Sequence, residues 1–421
     1  MKFTKMSLVA TLLVGSSAFA FENTKVTGDA NLFYQTTDAN SGELLRAKDS
    51  SADFGVNLNV TTDVLKNESV EITAGVGYTV LSTLGVENNL VGNVWGGAHT
   101  ASAGTGATYQ SGLGGAKVED ANWFNEAWVA AKAGNTTAKL GRMELDTPLA
   151  FTEAWTIERN TFEAALLVNT DIPDTVIAAG FVGNGNGTES FGQNLQSNVY
   201  ALGLATGGVT NGNGTFGTFG TNGAYVLGVI NNSYKPLTAQ LWYYDVTRVA
   251  TALWLQADFA KDGILLGAQY NTMSAASANS KEDNVFALMA GYAVEDSISV
   301  KLSFSEVNDN GTLGRAGFNL ATNASTSQTQ LYTEAWWNYG QNTIAGTSTI
   351  NLTVEAPTSI VDLGLFVTSI DHKAANSDLL EIALSASKSF GPLDTSLVFI
   401  NTKVDGSDAT NILQAYLTLN F

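Results

Sequence analysis

Between its turns this chain alternates apolar and polar residues with a period of two. In 54–61, Phe54, Val56, Leu58 and Val60 share one face, and Gly55, Asn57, Asn59 and Thr61 the other. In 70–80, Val70, Ile72, Ala74, Val76, Tyr78 and Val80 oppose Glu71, Thr73, Gly75, Gly77 and Thr79. The same rule fits 237–244, 253–259, 298–305, 349–356 and 380–387. Successive side chains of a strand point to opposite sides, so this pattern builds two-faced β-strands and no amphipathic helix. No run of about 18 uncharged apolar residues occurs, which excludes a transmembrane helix.

The connectors alternate as well. Short turns fall at 62–67, 134–136, 171–174, 232–236, 261–263, 295–297, 357–358 and 391–392, and longer Gly/Asn/Ser/Thr-rich loops separate them. Short on one rim and long on the other is the layout of a transmembrane antiparallel β-barrel. The expected strands are 25–37, 50–61, 68–82, 121–132, 136–143, 161–169, 175–183, 222–231, 236–246, 250–260, 264–273, 284–293, 298–306, 347–356, 359–370, 379–389, 393–403 and 410–421. That makes eighteen, within a range of 16–20. The weakest stretch is 184–221, where a strand-like 197–205 could add a pair.

A soluble β-sandwich shares the period. Here, however, the polar face is Ser, Thr, Asn, Gln and Gly, and only 14% of residues are charged, against about 25% in soluble domains. Such faces suit water on one side and lipid on the other, with every backbone group paired around a closed sheet. In 411–421, Leu413, Ala415, Leu417, Leu419 and Phe421 share one face and end on a terminal aromatic. Leu417, Leu419 and Phe421 resemble the assembly signal of bacterial outer-membrane barrels, which implies the barrel-assembly machinery as a partner and outer-membrane lipid as the surroundings.

Residues 1–20 read as a cleaved signal peptide: Lys2 and Lys5, an apolar stretch from Met6 to Gly15, and Ala18-Phe19-Ala20. Residues 21–421 then form a single barrel domain in the bacterial outer membrane. A net charge of −19 argues against nucleic acid, whose phosphates require Lys and Arg.

The sequence offers little catalytic chemistry. There is no Cys, and His99 and His372 both fall in expected loops, so no cofactor, metal site or enzyme activity is expected. Asp371-His372 reads as a solvated pair. The GxGxxG match at 212–217 lacks a preceding buried strand and a following helix, and 112–117 lacks the phosphate-loop spacing. Asn308-Asp309-Asn310-Gly311 begins like a calcium loop without the remaining ligands. It is most simply an Asx-rich turn and leaves weak Ca²⁺ binding open.

One segment stands apart from the Gly/Ser loops. Residues 142–160 hold Arg142, Glu144, Asp146, Glu153, Glu158 and Arg159 together with Pro148, Leu149, Phe151 and Trp155. A loop folded into a barrel needs apolar side chains against the wall and charges toward the water. Leu149, Phe151 and Trp155 fit the first role, and the acids the second, as a pore constriction. The segment follows the fifth strand. Gly141-Arg142, Leu145-Asp146-Thr147-Pro148 and 159–164 resemble the third-loop region of OprD-like and major-outer-membrane-protein porins, and 237–267 is similar to the middle of the latter group. The resemblance implies an eighteen-strand homotrimeric barrel whose third loop enters the lumen and which passes small hydrophilic solutes and ions. OprD-like channels for carboxylates carry a ladder of basic residues, and this chain has only Lys132, Lys139, Arg142, Arg159 and Lys301 as candidates.

On the polar faces stand Glu71, Glu126, Glu163, Asp258, Glu355, Asp362 and Glu381, against Lys132, Lys139 and Lys301. Carboxylates lining a pore raise the local cation concentration, so weak cation selectivity is expected, decreasing in high salt. The rival readings are a structural or adhesive surface barrel, acting through loops 83–120 and 184–221, and an outer-membrane hydrolase centred on His372.

Overall fold

The computed structural model describes residues 22–421 except 40–41, 83, 87–89, 92, 98–99, 102–120, 154–156, 158, 187–215, 221, 321–326 and 374–376. The signal peptide, the strand-like 197–205, Trp155, Glu158 and His99 therefore lie outside the described residues.

Eighteen strands form the wall: β1 (Glu22–Thr37), β2 (Ser50–Lys66), β3 (Glu71–Ser82), β4 (Ala121–Ala133), β5 (Thr136–Met143), β6 (Phe162–Asn169), β7 (Thr175–Gly185), β8 (Ala224–Asn231), β9 (Leu237–Val246), β10 (Ala250–Lys261), β11 (Ile264–Ala275), β12 (Asp283–Val294), β13 (Ile298–Val307), β14 (Thr347–Ala356), β15 (Asp362–His372), β16 (Leu379–Phe390), β17 (Leu393–Val404) and β18 (Thr410–Asn420). Each expected strand has its observed counterpart. Every consecutive pair is antiparallel. β1 pairs with β18 from Asp29↔Asn420 to Thr37↔Ile412, which closes the sheet and leaves no edge. The Phe421 amide and carbonyl both bond Gly28 across this seam, at 2.9 and 2.8 Å.

Turn chemistry fixes the register on the short rim. Between β10 and β11 the two-residue turn Asp262-Gly263 has φ of 51° and 82°, the pair of positive values that a type I′ hairpin requires. On the long-loop side are the connections after β1, β3, β5, β7, β13 and β15.

The two faces separate as the alternation requires. Outward side chains include Leu140, Leu227, Leu288, Leu302 and Leu384, all exposed; in a bilayer they form the lipid belt. Tyr225, Tyr243 and Phe286 stand toward the long-loop rim, and Tyr292, Phe390 and Phe421 toward the short-turn rim, where amphipathic rings favour the membrane interface. Leu417, Leu419 and Phe421 lie on this outer face, 39%, 43% and 45% exposed. The buried apolar cluster sits inside the barrel, where inward Tyr244, Trp242 and Trp254 meet Leu145, Leu149, Phe318 and Leu320 from two loops.

Candidate functional site

The connection 144–161 continues the strand alternation past the end of β5. Met143 and Leu145 are buried while Glu144 and Asp146 are exposed, and Asp146–Thr147 pairs with Ala150–Phe151 as a small hairpin. Leu149, fully buried, donates its amide to the inward Tyr244 hydroxyl at 3.2 Å. Farther along, Ile157 packs with Phe33, Leu81 and Trp123 from β1, β3 and β4. The loop thus leans on two separate stretches of inner wall.

A second loop, 308–346, does the same, and the sequence reading passed over it. Its start is held by Asp283, whose carboxylate accepts the Leu313 and Gly314 amides at 2.7 and 2.8 Å. Its middle is held at Gln269, which donates to the Gln330 carbonyl at 2.8 Å and accepts the Tyr332 amide at 3.1 Å. The Tyr332 hydroxyl donates to Asp258 at 2.5 Å. Its far side is held by Glu381, which accepts the Trp337 and Asn338 amides at 3.0 and 2.9 Å. Charge-assisted bonds of this kind are about twice as strong as neutral ones.

The two loops are joined to each other. The Leu320 amide donates to the Leu149 carbonyl at 2.8 Å. Asn319, fully buried, donates from Nδ2 to the Phe151 carbonyl and to Glu153, both at 2.8 Å. The Gln328 amide reaches the same Glu153 oxygen at 3.0 Å. Nearby, Glu334 accepts the Thr329 and Gly340 amides, each at 3.3 Å. Burial pushes its carboxyl well above the usual carboxylate range, and the negative charges of Glu153 and Glu381 add to that direction.

The placement of the sequence-derived residues divides four ways. Glu144 and Arg159 come together at 3.3 Å, exposed to the lumen, and Asp146 is exposed nearby. On the wall, Glu126 accepts the Trp128 indole N–H at 2.9 Å, and the Lys139 ammonium stands 4.1 Å over the Trp128 ring. Lys301 and Glu355 pair at 3.4 Å, and Glu71 lies 3.5 Å from Lys66, in register with Lys132. Asp362 shares the inward parity of Phe366 and His372 at the short-turn end of β15. His372 is itself the last residue of that strand and not a loop residue.

Three further expectations are corrected. Arg142 and Glu163 are not in the pore. Met143 and Phe162 turn inward as a pair, so their neighbours must turn outward, and Arg142 bonds Glu163 at 2.9 Å, lies 4.0 Å over the Phe216 ring and donates to the Phe124 carbonyl at 3.0 Å on the outer face. Glu153 does not face the water column; at 1% exposure it is the junction between the two loops. Asp258 and Glu381 stand on the inner wall as expected, yet their oxygens hold the second loop in place of facing open water.

The functional residues missed from sequence are Asn319, Tyr332, Trp336, Trp337 and Glu334. One signal was available: a connection of nearly forty residues carrying a Trp pair, which is too long and too aromatic for a solvated loop. Two inner cavities flank the loops. One, of about 300 Å³, is strongly polar and includes Asp29, Asn57, Asn125, Glu126, Glu144 and Arg159. The other, of about 580 Å³, lies under the second loop. They meet the wall at neighbouring inward positions of β18, Thr418 and Tyr416.

No family model matches the sequence, and no curated protein is similar to it. Solved structures are similar over almost the whole chain. OccK8 (OprE) of Pseudomonas aeruginosa superposes with a TM-score of 0.69 at 15% identity, covering 96% of this chain and 99% of that one. OccK9 (OpdG) of the same organism gives 0.72 at 12% identity, again with 96% and 99% covered. OpdK of Pseudomonas aeruginosa, solved with vanillate, gives 0.67 at 11% identity, with 95% and 99% covered. The fold of this chain is therefore the closed eighteen-strand barrel that these proteins share.

Proposed function

We propose that this chain is an outer-membrane porin of the OprD-like type, a water-filled channel for small hydrophilic solutes and ions with a weak preference for cations. The observation that carries the reading is the closed barrel with an apolar outer belt and a polar lumen narrowed by two docked loops. A barrel built only to display loops needs no inner loops fastened by buried carboxylates. The cation preference follows from the charges left facing water. Glu144, Asp146, Glu126, Glu71, Glu355 and Asp362 are opposed by Arg159, Lys139, Lys132 and Lys301, and acids placed along a pore attract cations through a long-range field. Homotrimer formation and the Phe421-ended strand as an assembly signal belong to the same reading; no enzymatic role is proposed.

Purified protein in a planar bilayer with a KCl gradient tests it. The reversal potential is expected on the K⁺-selective side, moving toward zero as salt rises and screening shortens the field. An anion-selective potential overturns the cation preference, and absence of channels overturns the function.

A further inference from the structure

The cavity under the second loop gathers aromatic rings and uncharged polar groups. Trp336 reaches it from the loop, and Phe366 and Tyr416 from the wall, around a space of about 580 Å³, within the range of small-molecule sites. Trp336 and Phe366 lie 4.6 Å apart and tilted by 39°, so they do not stack face to face. Beside the rings stand Gln328, Thr353 and Ser396. The Gln328 side-chain amide, the Ser396 hydroxyl and the Trp336 indole N–H carry no hydrogen bond to the described residues, and all three side chains belong to partly exposed residues. Thr353 donates its hydroxyl to Asn351 at 2.9 Å and can still accept.

An ion finds no counter-charge here. Among the described residues no Lys or Arg lines the cavity. Its carboxyl, Glu334, holds the Thr329 and Gly340 amides with one oxygen, keeps the other buried away from the space, and is favoured in its neutral form by burial. A charged solute would give up hydration without compensation, a cost that a neutral one escapes. Among neutral solutes, a plain aromatic ring covers the faces but strips the amide, the hydroxyl and the indole N–H of water without replacing it. A sugar ring carries both surfaces that the chamber calls for. Its C–H groups suit aromatic faces, and its hydroxyls donate and accept.

We propose that this chamber is a binding site for uncharged sugars in passage through the channel. A pyranose ring lies against Trp336 and Tyr416, and its hydroxyls exchange hydrogen bonds with the Trp336 N–H, Gln328 and Ser396. The inference rests on the channel reading and narrows it to a solute class; the weak cation preference concerns ions and is a separate property of the water-facing acids.

Single-channel recording of the full protein in concentrated KCl, where the field of the lumen acids is screened, tests it. Glucose, glucosamine hydrochloride and sodium glucuronate are probes of one ring and three charges, and benzyl alcohol is a flat ring with a single hydroxyl. Glucose is expected to interrupt the current at a concentration about tenfold below that of the other three. Trp336→Ala is expected to raise the half-blocking concentration of glucose about tenfold, and Ser396→Ala, on the wall and apart from the fastenings of the loop, about threefold. Equal block by either charged sugar or by benzyl alcohol overturns the proposal, as does wild-type glucose block in both variants. Open channels that glucose does not interrupt overturn it while leaving the channel reading standing. Absence of any conductance overturns both.

Discussion

The two inner loops share one apolar cluster in the lumen, and carboxylates of the wall fasten the second. The loop 144–161 is held mainly by apolar contacts: Leu145, Leu149 and Ala150 enter the core cluster, and Ile157 packs on Phe33, Leu81 and Trp123. The loop 308–346 adds Leu313, Phe318, Leu320 and Leu331 to the same cluster and is held besides by carboxylates of the wall, Asp283, Asp258 and Glu381, which accept its amides and a tyrosine hydroxyl. The first keeps its own acids, Glu144 and Asp146, free to face water; the second occupies acids that the wall would otherwise present. A carboxylate on an inner face can therefore set selectivity or hold a loop, and hydrogen-bond partners decide which.

The largest expected effect comes from the junction. Asn319→Ala removes the donor to both Phe151 and Glu153 and leaves a buried carboxylate short of a partner, at a cost of about 2–3 kcal/mol. Both loops should loosen together, seen as larger and noisier single-channel currents and as new cleavage in 144–161 and 308–346 under limited proteolysis. Cleavage in one loop alone would break the coupling.

Glu381→Ala should act on the second loop only. Losing an acceptor of two loop amides costs about 1–3 kcal/mol, and proteolysis should open 308–346 while sparing 144–161. Glu381→Gln keeps an acceptor and should cost less.

Glu334 sharpens the contrast through pH. Its carboxyl is held above the usual range by burial, so the docked loop favours the protonated form. The stability linked to it is full in acid, below the ordinary carboxylate value, and is lost as pH rises through the raised one. Current noise from the second loop should therefore grow as pH is raised from about 4 toward neutral. Glu334→Gln should flatten that dependence, and an unchanged profile would assign the noise elsewhere.

The smallest effect belongs to the water-facing acids. Asp146→Asn should leave conductance nearly intact and move the reversal potential modestly toward anions, by less than the about 1 kcal/mol typical of exposed charges. Glu163→Gln, on the outer face, should leave the reversal potential where it is.

The wall was legible from the alternation and the pattern of short turns and long loops, down to the number of strands and which side of β18 carries Leu417, Leu419 and Phe421. The candidate pore was legible only in part. Residues 144–161 announced themselves by composition, yet the parity of Arg142 and Glu163 was misjudged because the pore assignment followed their charge. Their inward neighbours Met143 and Phe162 would have placed them outside.

Sequence by itself determined the barrel, because a period of two is local: each strand states its own faces, and each turn its own register. Tertiary structure decided which of those faces meet water. Asn319 meets Glu153 across 166 positions and Tyr332 meets Asp258 across 74. A contact at such separation leaves no periodic trace in either segment. Whether an inner carboxylate attracts a passing ion or fastens a loop is settled only when the closed wall brings that loop within hydrogen-bonding reach.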